Sequence, residues 1–468
     1  MRSRFIALAV IVLLMTTACG ARLTRNQKNA GILTIGGGGS AVDGSGGGPG
    51  GPAAGPTSGP GSLGTGPLAG GGGVSGGGSG AVPSSPPGGN GGATDVGVTP
   101  TQITIATASD ISGVQAGLFK STHQAMAALA AMVNNEGGIY GRAIKPLLLD
   151  SKADAVANQA AVQDACEKSF ALIGSMSAFD NGGAEAGEKC GIPDVSAIAV
   201  NPSRARAKNV YPANPIGPDR FAIGTANYIK NTYGTGVIQN AAMLYLNAGV
   251  TKTNAQQRMK AYQTVGFKWT YVQEVQVLEA NYSPFVQKMK DRGIKYVNMV
   301  ANYQAIQKLL DAMDQAEWYP QVRDWDSVAY SQNFLTVGPP GNGSIVFLST
   351  AIYEEVSSNP EMQLYVKWLN RVAPGAKPDY FGFYAWSAGR LFVKVHEMVG
   401  PKITRKKFFD AIKTVHSWDD YGMHVSNDIG SKIQSPCFLY VEIKNEKFVR
   451  KAPKPSGFMC NQGGIIST

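Results

Sequence analysis

Between Gly31 and Gly92 the chain is almost entirely Gly, Pro, Ser and Ala, with Asp43 as its one charged residue. Such a tract offers too little apolar surface to offset the entropy of ordering, so the expectation is a flexible tether rather than a domain. A Gly-rich coil of about 60 residues has an end-to-end distance of about 40–45 Å, at about 5.5 Å times the square root of its length. Whatever folds must therefore come from outside the tract. The tract also produces a false motif: Gly73-Val74-Ser75-Gly76-Gly77 fits the G-x-S-x-G nucleophile elbow, but without a flanking strand and helix it carries no chemistry.

Upstream of the tract, Arg2 and Arg4 precede an apolar run from Phe5 to Met15. That run has the length of a signal-peptide core and is shorter than the roughly 20 apolar residues that span a bilayer. It ends in Thr16-Thr17-Ala18-Cys19, which resembles a lipobox with Thr16 where Leu is usual. The reading is a lipoprotein signal over 1–18 and lipidation at Cys19, which places the protein outside the cytoplasm, held to the outer face of the cell membrane. Of the 5 cysteines, Cys166, Cys190, Cys437 and Cys460 then remain for disulfides in an oxidising compartment. Cys166–Cys190 and Cys437–Cys460 are the favoured pairs, since each closes a short loop, and the other pairings stay open.

Downstream, about 350 residues are enough for two domains, each with a core. The net charge of +10 is dispersed, with no basic run longer than Arg405-Lys406-Lys407, so it reads as a solvated surface and no nucleic-acid partner is expected. Strand-like and helix-like segments alternate. Gln102 to Ala108, Ala143 to Asp150, Ala171 to Gly174 and Asp194 to Val200 read as strands, with helices at Gly117 to Asn135, Asp154 to Lys168 and Gly182 to Lys189 between them. A second series places strands at Asn240 to Leu246, Lys268 to Val277, Tyr296 to Val300 and Ser327 to Tyr330. Its helices fall at Thr251 to Val265, Tyr282 to Arg292 and Gln304 to Ala316. Two such series imply an α/β protein with two parallel sheets and helices on both faces. Ligands of such sheets bind at the carboxyl ends of the strands.

In these segments the chain resembles a known family. Val98-Thr99-Pro100-Thr101-Gln102-Ile103-Thr104-Ile105 followed by Ser109-Asp110-Ile111-Ser112-Gly113 is similar to the opening of type I periplasmic solute-binding proteins of ABC importers, closest to the leucine/isoleucine/valine-binding branch. Asn134-Asn135-Glu136-Gly137-Gly138-Ile139-Tyr140-Gly141-Arg142 is similar to their signature after the first helix, and Asp150 sits where they end the second strand. Tyr282-Ser283-Pro284-Phe285 with Gln287-Lys288-Met289-Lys290, and Tyr384-Ala385-Trp386-Ser387-Ala388-Gly389, follow in family order. The resemblance covers about Val98 to Val449. It implies a two-lobed fold with three hinge crossovers: lobe 1 from 97–236 plus 350–430, lobe 2 from 237–349 plus 431–448. Residues 19–96 would be anchor and tether, and 449–468 a C-terminal tail.

The same resemblance implies the site. Ser175 and Ser177, in the loop after the third strand, would offer hydroxyls to an acceptor on the ligand, although serines there also cap helices. Ser112 is a further candidate. In the next loop, Ile198 and Val200 line the cleft, with Val200 where amino-acid binders have Thr. On lobe 2, Tyr303 matches a cleft aromatic but also begins a helix, and Gln332 falls where the family carries a Glu for the ligand's ammonium. Tyr330 and Tyr353 would extend the wall. An unpaired buried ammonium is costly, so a neutral amide, a small carboxylate or an apolar acid is expected rather than a simple amino acid. The implied function is a lipid-anchored receptor that delivers a small molecule to an ABC permease. A ligand sensor of the same fold, signalling to a membrane partner, is the alternative.

No cofactor, metal or enzymatic activity is expected. His123, His396, His416 and His424 lack metal-ligand spacing, and adjacent residues such as Asp419 and Asp420 usually point apart, which argues against a carboxylate pair.

Overall fold

The structure, a computed structural model, describes Ser84, residues 87–114 and residues 116–468. The signal segment, Cys19 and nearly all of the tether lie outside the described residues. The folded part opens with β1 (Gln102–Ser109), α1 (Lys120–Asn135), β2 (Ala143–Asp150), α2 (Ala155–Lys168), β3 (Ala171–Ile173), α3 (Asn181–Cys190), β4 (Asp194–Val195) and α4 (Pro202–Arg206). The four strands form one parallel sheet in the order β2-β1-β3-β4. Local chemistry sets the boundaries: Asp154 accepts from the Ala157 amide to cap α2, and Gly191, at φ 67°, ends α3 in the left-handed conformation.

The chain then crosses to a second layer through β5 (Arg220–Ala222), α5 (Gly224–Tyr233) and α6 (Thr235–Ile238). It continues with β6 (Ala241–Leu246), α7 (Thr251–Val265), β7 (Trp269–Val275), α8 (Ser283–Asp291), β8 (Tyr296–Val300), α9 (Tyr303–Gln315), β9 (Val322–Trp325) and β10 (Ile345–Leu348). It returns to the first layer for α10 (Pro360–Val372), α11 (Tyr380–Val399) and α12 (Arg405–Ile412), and ends in the second with β11 (Leu439–Lys444), β12 (Lys447–Ala452) and β13 (Ile465–Ser467). The second sheet runs β12-β11-β10-β9-β8-β6-β7, parallel except at β10–β11 and β11–β12. The helix α11 packs so closely on α1 that a Cβ at Gly389 would lie 2.4 Å from Leu129. The disulfides join Cys166 to Cys190 and Cys437 to Cys460. No helix among the described residues is long and apolar enough to cross a membrane.

Four expectations differ. The helix α5 belongs to lobe 2, not lobe 1: Tyr228 stacks on Tyr440 with ring centroids 3.7 Å apart, and Ala226 and Ile229 are buried with Tyr262. The lobe boundary therefore falls near Asp219 rather than at 236. The strand expected at Ser327 to Tyr330 is a single turn, and the strand itself is β9, disguised by Arg323 and Asp324 in a wholly buried segment. Their bonds are internal: Arg323 donates to the Pro340 carbonyl at 2.8 Å, and Asp324 Oδ2 accepts from the Tyr296 hydroxyl at 2.7 Å while Oδ1 is buried without a partner. Residues 449–468 are not a loose tail, since β12 pairs with β11 and β13 with β5. The packed region also starts before residue 97: the Asn90 and Gly92 carbonyls accept from Arg142 Nη2 at 2.6 and 2.8 Å.

His396, on α11, is buried with neither ring nitrogen hydrogen-bonded. Burial, with a smaller push from Arg142, holds its pKa down to about 3. Below the ordinary value of about 6.5 the unfolded chain takes up a proton that the folded chain refuses, so stability is lost as pH falls from there towards 3. Replacing His396 by Phe removes both unpartnered atoms and should stabilise the fold by about 1–3 kcal/mol at pH 7.5. At pH 5 the gain should be about 2 kcal/mol larger, from about 1.4 kcal/mol per pH unit. Urea unfolding at the two pH values measures both, and equal gains would contradict the burial of a neutral imidazole.

Candidate functional site

The two lobes meet around a cavity of about 210 Å³. Lobe 1 contributes an apolar wall. Leu118 and Phe119 stand just before α1; Met176 and Ala178 follow β3; Ile198, Val200 and Ile216 come from the loops beyond β4. Phe381 of α11 completes the wall and meets Phe119 edge-on at 4.7 Å. The Val200 loop is fixed by Asp180, whose carboxylate accepts from the Val200 and Asn201 amides at 2.9 and 3.0 Å. Burial pushes the Asp180 carboxyl up to about 6 against the pull of Arg204 and these amides.

Lobe 2 supplies most of the polar groups; lobe 1 adds Tyr380, whose hydroxyl accepts from Asn214 Nδ2 at 2.8 Å. Thr251, Asn254, Arg258 and Tyr262 all line the cavity, and their spacing of three, four and four residues keeps them on one face of α7. Thr225 of α5, Asn302 before α9, and Asp326 and Ser327 after β9 join them. Three rings, Phe221, Phe347 and Phe438, close this side. Among the described residues that line the cavity, Arg258 and Asp326 alone are charged, and they pair with each other. Arg258 Nη1 also donates to Asn298 Oδ1 at 2.9 Å, and its guanidinium lies 5.6 and 5.3 Å from the Phe221 and Phe347 rings. Burial pulls the Arg258 pKa down, but the adjacent Asp326 carboxylate more than offsets it, so the guanidinium stays charged. Behind the pair, burial pushes Asp324 up to about 7, against the Tyr296 hydrogen bond and Arg258.

Of the residues singled out from sequence, Ile198 and Val200 line the cavity. The others stand outside its wall. Ser175 Oγ accepts from the Ala108 amide at 3.1 Å and Ser177 Oγ from the Phe179 amide at 3.0 Å, so both hydroxyls turn inward. Side chains alternate along this extended loop, and the cavity receives Met176 and Ala178 instead. Ser112 Oγ donates to Asp150 at 2.5 Å and braces the loop after β1. Tyr330 is buried, donates to Glu354 at 2.7 Å and accepts from the Tyr353 amide at 2.6 Å, so Tyr330 and Tyr353 secure each other beneath the hinge. Tyr303 packs half-buried against the core at the start of α9, and Gln332 lies partly exposed in the following turn. The wall does hold a carboxylate, Asp326, but Arg258 already occupies it. The α7 face was readable from its periodicity; the three rings were not, because they converge from hinge segments far apart in the chain.

At the rim, Gly249 follows β6 with φ 49°, and a Cβ there would lie 2.6 Å from the Ala178 carbonyl oxygen of the opposite lobe. The lobes thus touch backbone to backbone beside the cavity.

A pair of α/β lobes joined by several crossings, with a cavity walled by both, defines a two-lobed solute-binding protein. The chain belongs to the periplasmic binding protein family, whose model matches residues 102–444. That is a family of solute-binding proteins rather than enzymes, working outside the cytoplasm. Solved structures agree on the fold, of type I with parallel-dominated sheets. A leucine-binding protein from Thermotoga maritima matches with a TM-score of 0.63 at 15% identity, over 75% of this chain and 98% of that one. A fatty acid ABC transporter substrate-binding protein from Thermomonospora curvata matches at 0.66 and 16%, over 79% and 95%. A branched-chain amino acid transporter substrate-binding protein from Streptococcus pneumoniae, in complex with isoleucine, matches at 0.63 and 12%, over 75% and 100%. No curated protein is significantly similar to the chain.

Proposed function

We propose that the protein captures a small molecule by closure of its two lobes and delivers it to the permease of an ABC importer. Cys19 holds it by a lipid anchor to the outer face of the cell membrane. One observation carries this reading: the cavity is walled by both lobes, by Leu118, Phe119, Met176 and Phe381 from lobe 1 and Thr251, Asn254 and Arg258 from lobe 2, so a guest touches both only when the cleft is shut. The structural neighbour described as a fatty acid ABC transporter substrate-binding protein supports the delivery step, and the lipobox-like Thr16-Thr17-Ala18-Cys19 supports the anchor.

Leucine, isoleucine and valine are expected to bind weakly, with dissociation constants above about 0.1 mM. The reason differs from the absence of a carboxylate. An α-ammonium would have to displace Arg258 from Asp326. An α-carboxylate would meet a lobe 1 loop whose Met176 and Ala178 amides are already bonded, to Ala108 O at 3.2 Å and Asp110 Oδ2 at 2.9 Å. Calorimetry on the mature protein tests this, and micromolar binding of any of the three contradicts it.

Replacing Cys19 by Ala should shift the protein from the membrane fraction to the medium. Retention in the membrane fraction would remove the anchor from the account.

A further inference from the structure

We infer that the Arg258–Asp326 pair makes the cavity selective for an uncharged, mostly apolar molecule bearing one oxygen acceptor, against acids, amines and zwitterions of the same skeleton. The inference rests on the receptor reading above and names the class of solute. Its premise is charge balance. Arg258 and Asp326 are opposite in sign and joined by a hydrogen bond, with side-chain exposures of 7% and 19%. The described lining contains no further charge. A guest carboxylate would approach Arg258 beside the Asp326 carboxylate, with Asp324 buried behind. A guest ammonium would approach Asp326 beside the guanidinium. Either way one like charge stands next to the one that attracts, and a buried ion without a free counter-ion is costly.

The polar requirement is also specific. Arg258 Nε is buried and has no hydrogen-bond partner. It can only donate, so an oxygen acceptor answers it: an amide, ketone or ester carbonyl, or a hydroxyl. On the lobe 1 side Leu118, Phe119, Met176, Ile198 and Phe381 offer apolar side chains to the rest of the guest, and the Tyr380 hydroxyl there is already bonded to Asn214 at 2.8 Å.

The test is isothermal titration of the intact mature protein with one skeleton carrying four head groups: 4-methylpentanamide, 4-methylpentanoate, 3-methylbutylamine and leucine. A second set, 3-phenylpropanamide, 3-phenylpropanoate, phenethylamine and phenylalanine, covers a larger guest. The amide is expected to bind at least tenfold tighter than the other members of its set. An acid, amine or zwitterion that binds tightest overturns the inference and leaves the receptor reading standing. Failure of every compound in both sets, and of a broad solute panel, to bind overturns both. The variant Asp326→Asn frees Arg258 of its partner and should move the acid-to-amide preference at least tenfold towards the acid; an unchanged preference in a folded variant would deny the pair its role. The wild-type ranking stands as the test should Asp326→Asn not fold.

Discussion

Valine in place of Gly249 should weaken ligand capture by about 100-fold while changing the melting temperature of the ligand-free protein little. The position lies on the lobe 2 rim, exposed, where a Cβ would come within 2.6 Å of a lobe 1 carbonyl oxygen. Real Cβ atoms do not approach backbone that closely, so the shut cleft is excluded, whereas an open cleft has room for the side chain. A second cost is local: φ of 49° suits glycine, and another residue there loses about 1 kcal/mol. In the proposed capture by closure the binding-competent form is the shut one, so apparent affinity falls by the fraction of molecules that can still shut, and about 100-fold corresponds to about 2.7 kcal/mol. Titration calorimetry with any solute that binds the parent protein reads the effect. Unchanged affinity would mean that the guest does not require the lobes to meet here.

The largest loss of stability is expected at Arg142, on the far side of lobe 1 from the cavity. Its side chain is fully buried and donates to four carbonyls, those of Thr99 at 2.8 Å, Pro401 at 2.7 Å, Asn90 at 2.6 Å and Gly92 at 2.8 Å. Asn90 in turn donates to the Pro100 and Tyr140 carbonyls. One guanidinium therefore ties the end of the Gly-rich tract, the first strand's approach and the loop after α11 into a single knot. Methionine keeps most of the volume but leaves four acceptors unmet, which should cost about 3–5 kcal/mol. That lowers the melting temperature by on the order of 10 °C for a domain of this size. A chain begun at Thr94 lacks two of the acceptors and should lose about 1–3 kcal/mol, whereas one begun at Ser84 should lose nothing. Neither change should alter ligand affinity, since neither reaches the cavity. Equal melting temperatures for the two truncations would show that the knot contributes little.

The same residue explains why the fold was legible. The Gly137-Gly138-Ile139-Tyr140-Gly141-Arg142 stretch is a turn in which Gly138, at φ 77°, sits so close to the Arg142 carbonyl that a Cβ would lie 2.3 Å away. Local geometry writes such a turn directly into residue type. The alternating series of strands and helices was legible for the same reason, since period and capping are local. Long-range features were not. Nothing beside α5 in the chain says that it leaves lobe 1 for the Tyr440 face of lobe 2. Residues Arg323 and Asp324 hid β9, because their partners Pro340 and Tyr296 lie on other segments.

The site divides along the same line. The resemblance pointed to loops that border the cavity, and in the loop beyond β4 to two residues, Ile198 and Val200, that line it. In the loop after β3 it led to Ser175 and Ser177, whose hydroxyls answer backbone amides, while the alternation of an extended chain hands the cavity Met176 and Ala178. The Arg258–Asp326 pair joins residues 68 apart, on α7 and beyond β9. No local pattern announces it, although the Thr251, Asn254, Arg258 and Tyr262 face of α7 could have marked one of the two as a wall residue.

Closure of two lobes on a small molecule is tested most directly by melting the mature protein, alone and with each of a panel of uncharged apolar solutes, beside the Gly249→Val variant. A solute present at about 100 times its dissociation constant adds about 2.7 kcal/mol of stability by mass action. The parent protein should therefore melt several degrees higher with at least one solute, and the variant should show little or no shift with that same solute. A parent protein that no solute stabilises, or a variant stabilised to the same extent, would contradict capture between the lobes.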